Sequence, residues 1–172
     1  EDNKVFLASL PMTLRRDRLL FVHGSPNSQH EYLLPDMNAF AALERVETAG
    51  ADTLFCGHTH QPYVRELSEG SIRVSVQKNG NHSDSEQEMT LPMRRIVNAG
   101  SVGEPRHGST KATYVVHDDD SGAVSVREVE YDVSKTCRAI VEAGLPEVFA
   151  WRLGHGFEYA ERAEDASHVC ER

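Results

Sequence analysis

The sequence predicts a mixed α/β fold of the α+β kind, and three observations predict it. Two short apolar runs, Arg18–Val22 (RLLFV) and Thr53–Cys56 (TLFC), end in turn residues rich in glycine and histidine and read as buried strands. Between them Met37, Phe40, Ala41, Leu43 and Val46 recur at helical spacing. Beyond them the pattern changes to short alternating runs, which read as antiparallel strands. A strand–helix–strand unit places its strands in parallel through a right-handed crossover, so both C-terminal ends point the same way. Ligands of open α/β sheets bind at those ends. Period, caps and crossover together bring His23 near His58 and His60.

Taken in order, Lys4–Leu10 reads as the end of a helix closed by Pro11. The first buried strand, Arg18–Val22, stops at His23-Gly24-Ser25-Pro26, which is turn chemistry. Asp36 is the expected N-cap of the intervening helix, with Gly50 closing it. The second buried strand stops at Gly57-His58-Thr59-His60, where Gly57 is expected to let the chain turn. Alternating strands follow at Tyr63–Leu67, Ile72–Gln77, Arg94–Val97, Thr113–His117 and Val124–Tyr131. The polar tract Lys78–Glu88 reads as a hairpin loop and Asp118–Gly122 as another turn. Ser134 is the expected cap of a helix through Ala143, broken by Gly144-Leu145-Pro146 before a second helix, Glu147–Leu153. No repeat appears, and the tail from His155 onward carries no strong signal.

At 172 residues the chain fits one domain able to bury a core without disulfides. With 39% hydrophobic and 26% charged residues it has the composition of a globular protein, and no apolar run approaches a membrane span. Cys56, Cys137 and Cys170 lie far apart and lack CxxC spacing, which points to reduced thiols in a cytoplasmic compartment, with Cys56 in the core. A formal charge of −9 opposes stable binding to nucleic acid or anionic membrane. A phosphate substrate then needs a locally positive site, such as bound metal. The start Glu1-Asp2-Asn3-Lys4, with neither an initiator methionine nor a signal peptide, suggests a cut with sequence upstream.

His23, His58 and His60 are candidate ligands for Zn, Mn, Fe or Ni, since neutral imidazoles suit those ions. Imidazoles at a strand end either hold metal or are aimed by ordinary packing. Three neutral ligands make either a mononuclear site with an open position or half of a two-metal site that still needs carboxylates.

Three segments in order, LLFVHGSP at 19–26, TLFCGHTHQP at 53–62 and IVNAGSVGEPRHG at 96–108, resemble the calcineurin-like metallophosphoesterases. The nearest likeness is to the small bacterial and archaeal group related to the diadenosine tetraphosphatases and YfcE-type phosphodiesterases. The resemblance covers nearly the whole chain. It implies the C-terminal half of a four-layer α-β-β-α sandwich, with residues 1–172 forming a single phosphoesterase domain that lacks its N-terminal part. It implies two divalent transition metal ions (Mn, Fe, Zn or Ni), His23 and His58 binding one and His60 the other. Metals about 3.5–4 Å apart in such sites generate hydroxide and clamp the phosphoryl oxygens. The resemblance also places the 98–106 loop at the rim of the active site, with Ser101 and Arg106 as substrate contacts. His107 stands where relatives often carry an acid, and its role is open.

The family's other ligands come from an Asp-x-His, a Gly-Asp and a Gly-Asn-His-Asp/Glu motif. This chain has no Asp-x-His and no Gly-Asp. Gly80-Asn81-His82 spells part of the third, but after the histidine motifs and with Ser83 in place of the acid, so it reads as coincidence. No catalytic residue is therefore assigned.

Other chemistries fail on spacing: Cys-x5-Arg from Cys56 would need arginine where Pro62 stands, and no Gly-x-Ser-x-Gly elbow exists. The expected function is metal-dependent hydrolysis of phosphate mono- or diesters, on a small phosphate-ester or nucleotide substrate. The chain by itself is expected to be inactive. The competing expectation is a non-catalytic scaffold on the same fold. An uncovered sheet face or edge would favour a homo-oligomer.

Overall fold

The computed structural model describes residues 2–67, 72–74, 87–89 and 93–157. Its organising feature is a five-stranded sheet of order β1-β2-β3-β7-β4. The strands are β1 (Thr13–Arg16), β2 (Leu19–Val22), β3 (Thr53–Cys56), β4 (Pro62–Leu67) and β7 (Arg94–Ala99). A hairpin of β5 (Ile72–Val74) and β6 (Gln87–Met89) and another of β8 (Ala112–His117) and β9 (Val124–Val129) make two further two-stranded sheets. The helices are α1 (Asp2–Ser9), α2 (Ala39–Thr48), α3 (Val133–Glu142) and α4 (Glu147–His155).

The two apolar runs are adjacent parallel strands, β2 pairing with β3 so that Leu20 meets Leu54 and Phe21 meets Phe55. β7 lies parallel on the other side of β3, with Ile96 beside Leu54 and Val97 beside Phe55. Alternation then gives the sheet two faces. Leu20, Leu54, Cys56 and Ile96 form one core with Leu33, Leu67 and the α2 residues Ala42, Leu43 and Val46. On the other face Phe21 stacks on Phe55 at 4.6 Å, and His117 of β8 meets Phe55 edge-on at 5.6 Å. The β8–β9 hairpin thus covers the face opposite α2, and helix, sheet and second sheet follow one another as layers.

Several local expectations are corrected. Arg94–Val97 is not a purely antiparallel strand: β7 is parallel to β3 and antiparallel to β4, because its Ile96 and Val97 are apolar on both faces and fit the sheet interior. The strand at Thr13–Arg16 carried no apolar signal, since it is an exposed edge paired antiparallel to β2. Asn38, not Asp36, caps α2, its side chain accepting from the amides of Phe40 and Ala41. The preceding residues close a turn through Met37 N to Leu34 O, so the helix starts later. Phe40 is 75% exposed and lies off the buried stripe. Asp132 replaces Ser134 as the α3 cap, accepting from Lys135 N, while Ser134 Oγ donates to it. In the expected loop Lys78–Glu88, residues 87 and 88 belong to β6 and the rest, including Gly80-Asn81-His82, lie outside the described residues.

The amino-terminal apolar residues Val5, Phe6, Leu7, Met12 and Leu14 are exposed, and α1 buries nothing. Among the described residues no helix is long and apolar enough to cross a membrane. The burial contrast predicts that Leu54→Ala lowers stability by about 2–5 kcal/mol through the cavity it leaves. Phe40→Ala changes it by less than about 0.5 kcal/mol. Chemical denaturation of the two variants checks both.

Candidate metal and phosphate site

The histidines converge because β2 and β3 are parallel neighbours. His23 follows the last residue of β2 and His58 lies two residues past β3, and the backbone joins them through Gly57 N donating to His23 O at 2.9 Å. The rings share a hydrogen bond, His23 Nε2 to His58 Nδ1, at 3.1 Å. Two nitrogens bound to one ion at about 2.0–2.1 Å each stand roughly 3 Å apart at a right-angled N–metal–N angle, and slightly more at the tetrahedral angle. The spacing of His23 and His58 therefore fits two ligands of one metal.

Gly57 is not the residue that turns the chain. The left-handed conformations belong to His58 (φ 64°) and His60 (φ 59°) themselves. A Cβ at Gly57 would meet only His23 O at 3.7 Å, an ordinary contact. Non-glycine residues rarely hold positive φ, and two of them one residue apart need support from their surroundings. Asn98, wholly buried on β7, supplies it. Its Nδ2 donates to Gly57 O at 2.8 Å and to Thr59 Oγ1 at 3.0 Å, and its Oδ1 accepts from Gly100 N at 2.9 Å. One side chain thus ties the histidine turn to the 98–106 loop.

His60 faces a different partner. Its Nδ1 lies 2.6 Å from Glu104 O, a carbonyl that can only accept, so Nδ1 donates, and in a neutral ring Nε2 is the nitrogen with a lone pair for an ion. Among the described residues no group of three His, Cys, Asp or Glu side chains is placed to hold one ion. The contacts join His23 with His58, and His60 with Glu104.

The charge around His58 favours its neutral form. Burial lowers its pKa first, and the neighbouring His23, His30 and Arg106 lower it further, against a backbone hydrogen bond with His30. Neutral imidazole is the form a metal needs.

Arg106 is held at the rim: its N donates to His60 O at 3.1 Å and its Nη2 lies 3.3 Å from Glu104 Oε2. Arg152 of α4 reaches the same carboxylate at 3.5 Å. Glu104 is thus a hub for two arginines and a histidine, a role its sequence position gave no sign of. Ser101 Oγ accepts from Glu104 N at 2.9 Å and closes the turn that carries Glu104. His107 points away, its Nε2 3.5 Å from Glu128 Oε1 of the β8–β9 hairpin.

The loop leaving His23 is pinned. A Cβ on Gly24 would fall 2.6 Å from Gln29 O and 2.7 Å from Ser28 O, so only glycine fits. Glu31 accepts from Arg45 Nε at 3.1 Å and Nη2 at 3.0 Å and from Ser25 Oγ. The Ser25 hydrogen bond, then Arg45, hold its pKa below the ordinary 4.5.

A cleft at the opposite ends of the strands is lined by Arg16, Arg18, Asp52, Arg95, His117 and Asp119. Its charges pair within the wall: Arg16 with Asp119 at 2.7 Å, and Asp52 with both Arg18 and Arg94 at 2.5 Å. This is an ion-paired lining rather than a second cationic site.

Residues 1–122 match the calcineurin-like phosphoesterase superfamily domain. An uncharacterized protein of Methanocaldococcus jannaschii is 32% identical over 88% of this chain and 59% of its own length. A UDP-2,3-diacylglucosamine hydrolase of Shewanella halifaxensis is 32% identical over 42% of this chain and 32% of its own. A metallophosphoesterase crystal structure from Sphaerobacter thermophilus superposes with a TM-score of 0.69 and 28% identity, covering 90% of this chain and 62% of that one. A hypothetical protein of Pyrococcus horikoshii shares the fold, with a TM-score of 0.68 and 23% identity over 91% of this chain and 55% of that one. The chain thus spans 59% of the curated relative it matches over most of its own length.

Asn98→Ala removes a buried donor from Gly57 O and lowers stability by about 2–4 kcal/mol. Gly24→Ala is destabilising through its backbone clash, by about 1–3 kcal/mol, while Gly57→Ala costs much less. Thermal melts rank the three. A third prediction concerns acid. Because the folded pKa of Glu31 is depressed, the stability it adds is complete above 4.5 and is lost as pH falls below that value through the folded pKa. The stability gap between wild type and Glu31→Gln, about 1–2 kcal/mol at neutral pH, therefore narrows in that window, as urea titrations at stepped pH measure.

Proposed function

The chain belongs to the calcineurin-like phosphoesterase superfamily, and on that premise we propose that it carries the histidine side of a two-metal centre that hydrolyses phosphate mono- or diesters. The observation that carries this reading is the 3.1 Å approach of His23 Nε2 to His58 Nδ1 at the C-terminal ends of adjacent parallel strands. In this reading His23 and His58 hold one ion and His60, through Nε2, takes part in holding the second.

Divalent ions such as Mn, Fe, Zn or Ni supply Lewis acidity there and a bound water that ionises near neutral pH. The chain's own residues do the rest. Glu104 O fixes the tautomer of His60. Arg106, steadied by Glu104, presents a guanidinium suited to two phosphoryl oxygens. Ser101, whose Oγ lone pair is engaged by Glu104 N, keeps its hydroxyl hydrogen for the same group. The substrate is a phosphate-ester small molecule or nucleotide, in keeping with the UDP-2,3-diacylglucosamine named for the Shewanella hydrolase. Cys56 takes no part: burial pushes its thiol up to about 12. Unpaired Cys56 and Cys137 suit the cytoplasm.

The 172 residues contain neither Asp-x-His nor Gly-Asp. Three neutral imidazoles leave the charge of two divalent ions uncompensated, so this chain alone binds metal weakly and is inactive or nearly so.

The test combines metal analysis with turnover. Divalent metal taken up at equilibrium in excess ion should fall in His23→Ala and His58→Ala, and hydrolysis of bis-p-nitrophenyl phosphate by the 172-residue chain should stay near background. Unchanged metal content in both variants would remove the metal site. Robust metal-dependent turnover would instead overturn the inactivity of the isolated chain.

A further inference from the structure

We propose that Tyr32 is a positioning residue for His58: its ring, stacked flat on the imidazole, holds the His58 nitrogen against His23 and so sets the affinity of that pair for a divalent ion. The inference rests on the metal-binding reading above and concerns a side chain outside the expected ligand set.

Between His30 and Leu34 the loop alternates like a strand. Glu31 and Leu33 turn inward, Leu33 to 1% exposure, while His30 and Tyr32 turn outward, Tyr32 to 46%. The inward residues are anchored. Glu31 is held by Arg45 and Ser25, and the Leu33 carbonyl accepts from Tyr63 Oη at 2.6 Å. Anchoring every second residue also fixes the direction of the residues between them.

Both outward rings meet the same imidazole. Tyr32 lies 4.3 Å from His58 between ring centroids at an interplanar angle of 12°, and His30 approaches at 6.5 Å and 66°. His23 completes the surround at 4.8 Å and 59°. Tyr32 is not one of the side chains of the α2-facing core, where Leu33 supplies the buried contact. Its packing partner is a candidate metal ligand instead.

His58 needs such a partner. Its backbone is left-handed, and Asn98 holds the turn through Gly57 and Thr59, the residues on either side of it. Backbone hydrogen bonds place the Cα of His58, and its ring is tethered at its nitrogens, by His23 Nε2 at 3.1 Å and by a backbone hydrogen bond with His30, which leaves its faces to be set by packing. A flat aromatic surface at stacking distance restricts how the ring turns. Partners that orient a ligating histidine typically change metal affinity 10–100-fold.

Co2+ is the probe, titrated into the full chain and followed by its visible absorption. Thermal melts and NMR of the His58 ring protons accompany it. Tyr32→Phe, which keeps the flat ring, should bind Co2+ like wild type. Tyr32→Ala should bind roughly tenfold more weakly at an unchanged melting temperature, and the His58 ring protons should lose their ring-current shift. Tyr32→Leu, which keeps bulk without a flat face, should also weaken binding and serves if the alanine variant does not fold.

Wild-type affinity in Tyr32→Ala or Tyr32→Leu overturns the role of Tyr32, provided that His58→Ala loses Co2+. If the wild type takes up no Co2+, or His58→Ala binds it as tightly as wild type does, the metal reading itself fails and this proposal fails with it.

Discussion

The amide of Asn98 holds together the part of the molecule where function is expected. It sits at zero exposure on β7, in register with Cys56, and reaches forward to Gly57 O and Thr59 Oγ1 while its own oxygen takes Gly100 N. Both of its polar atoms are therefore engaged, as a buried amide requires, since each unsatisfied group costs about 1–3 kcal/mol. The consequence is geometric: two histidines with positive φ are kept in a conformation the chain would otherwise leave. The sheet register and the site are thus coupled, because a slip of β7 by one residue would move Asn98 to the opposite face.

The second support runs through α2. Its buried stripe of Ala42, Leu43 and Val46 faces the sheet, and Arg45, between them in sequence, reaches Glu31 in the loop after His23. One helix thereby covers the core and steadies the loop beside the histidines. The two loops then meet from opposite sides of β3: the 23–34 segment brings His23 and Tyr32 to His58, and the 98–106 segment brings Glu104 to His60.

Electrostatics has the same division. The chain is acidic overall, with a formal charge of −9, yet His23, His30, His58 and Arg106 gather within one another's influence. Burial first, and then these neighbours, lower the His58 pKa and favour its neutral form, which suits a metal ligand. The arginines at the other end of the sheet are matched by Asp52 and Asp119.

Much of this was legible in the residues themselves. The apolar runs at Leu19–Val22 and Thr53–Cys56 specify buried strands by composition, the stripe ending at Val46 specifies the helix between them, and parallel pairing then requires His23 and His58 to meet. The order of the three motifs was enough to suggest the family. What tertiary structure decided is what depends on partners distant in sequence. No local pattern marks Thr13–Arg16 as a strand, because an exposed edge has no buried face to write into its sequence. Asn38 takes the cap expected of Asp36 because a turn at Leu34–Met37 delays the helix. The left-handed turn falls on His58 and His60 and not on Gly57 because Asn98, 40 residues from His58 in the chain, holds it there. Spacing along a sequence can propose which side chains share an end of a sheet; the direction in which each ring points is settled only by what packs against it.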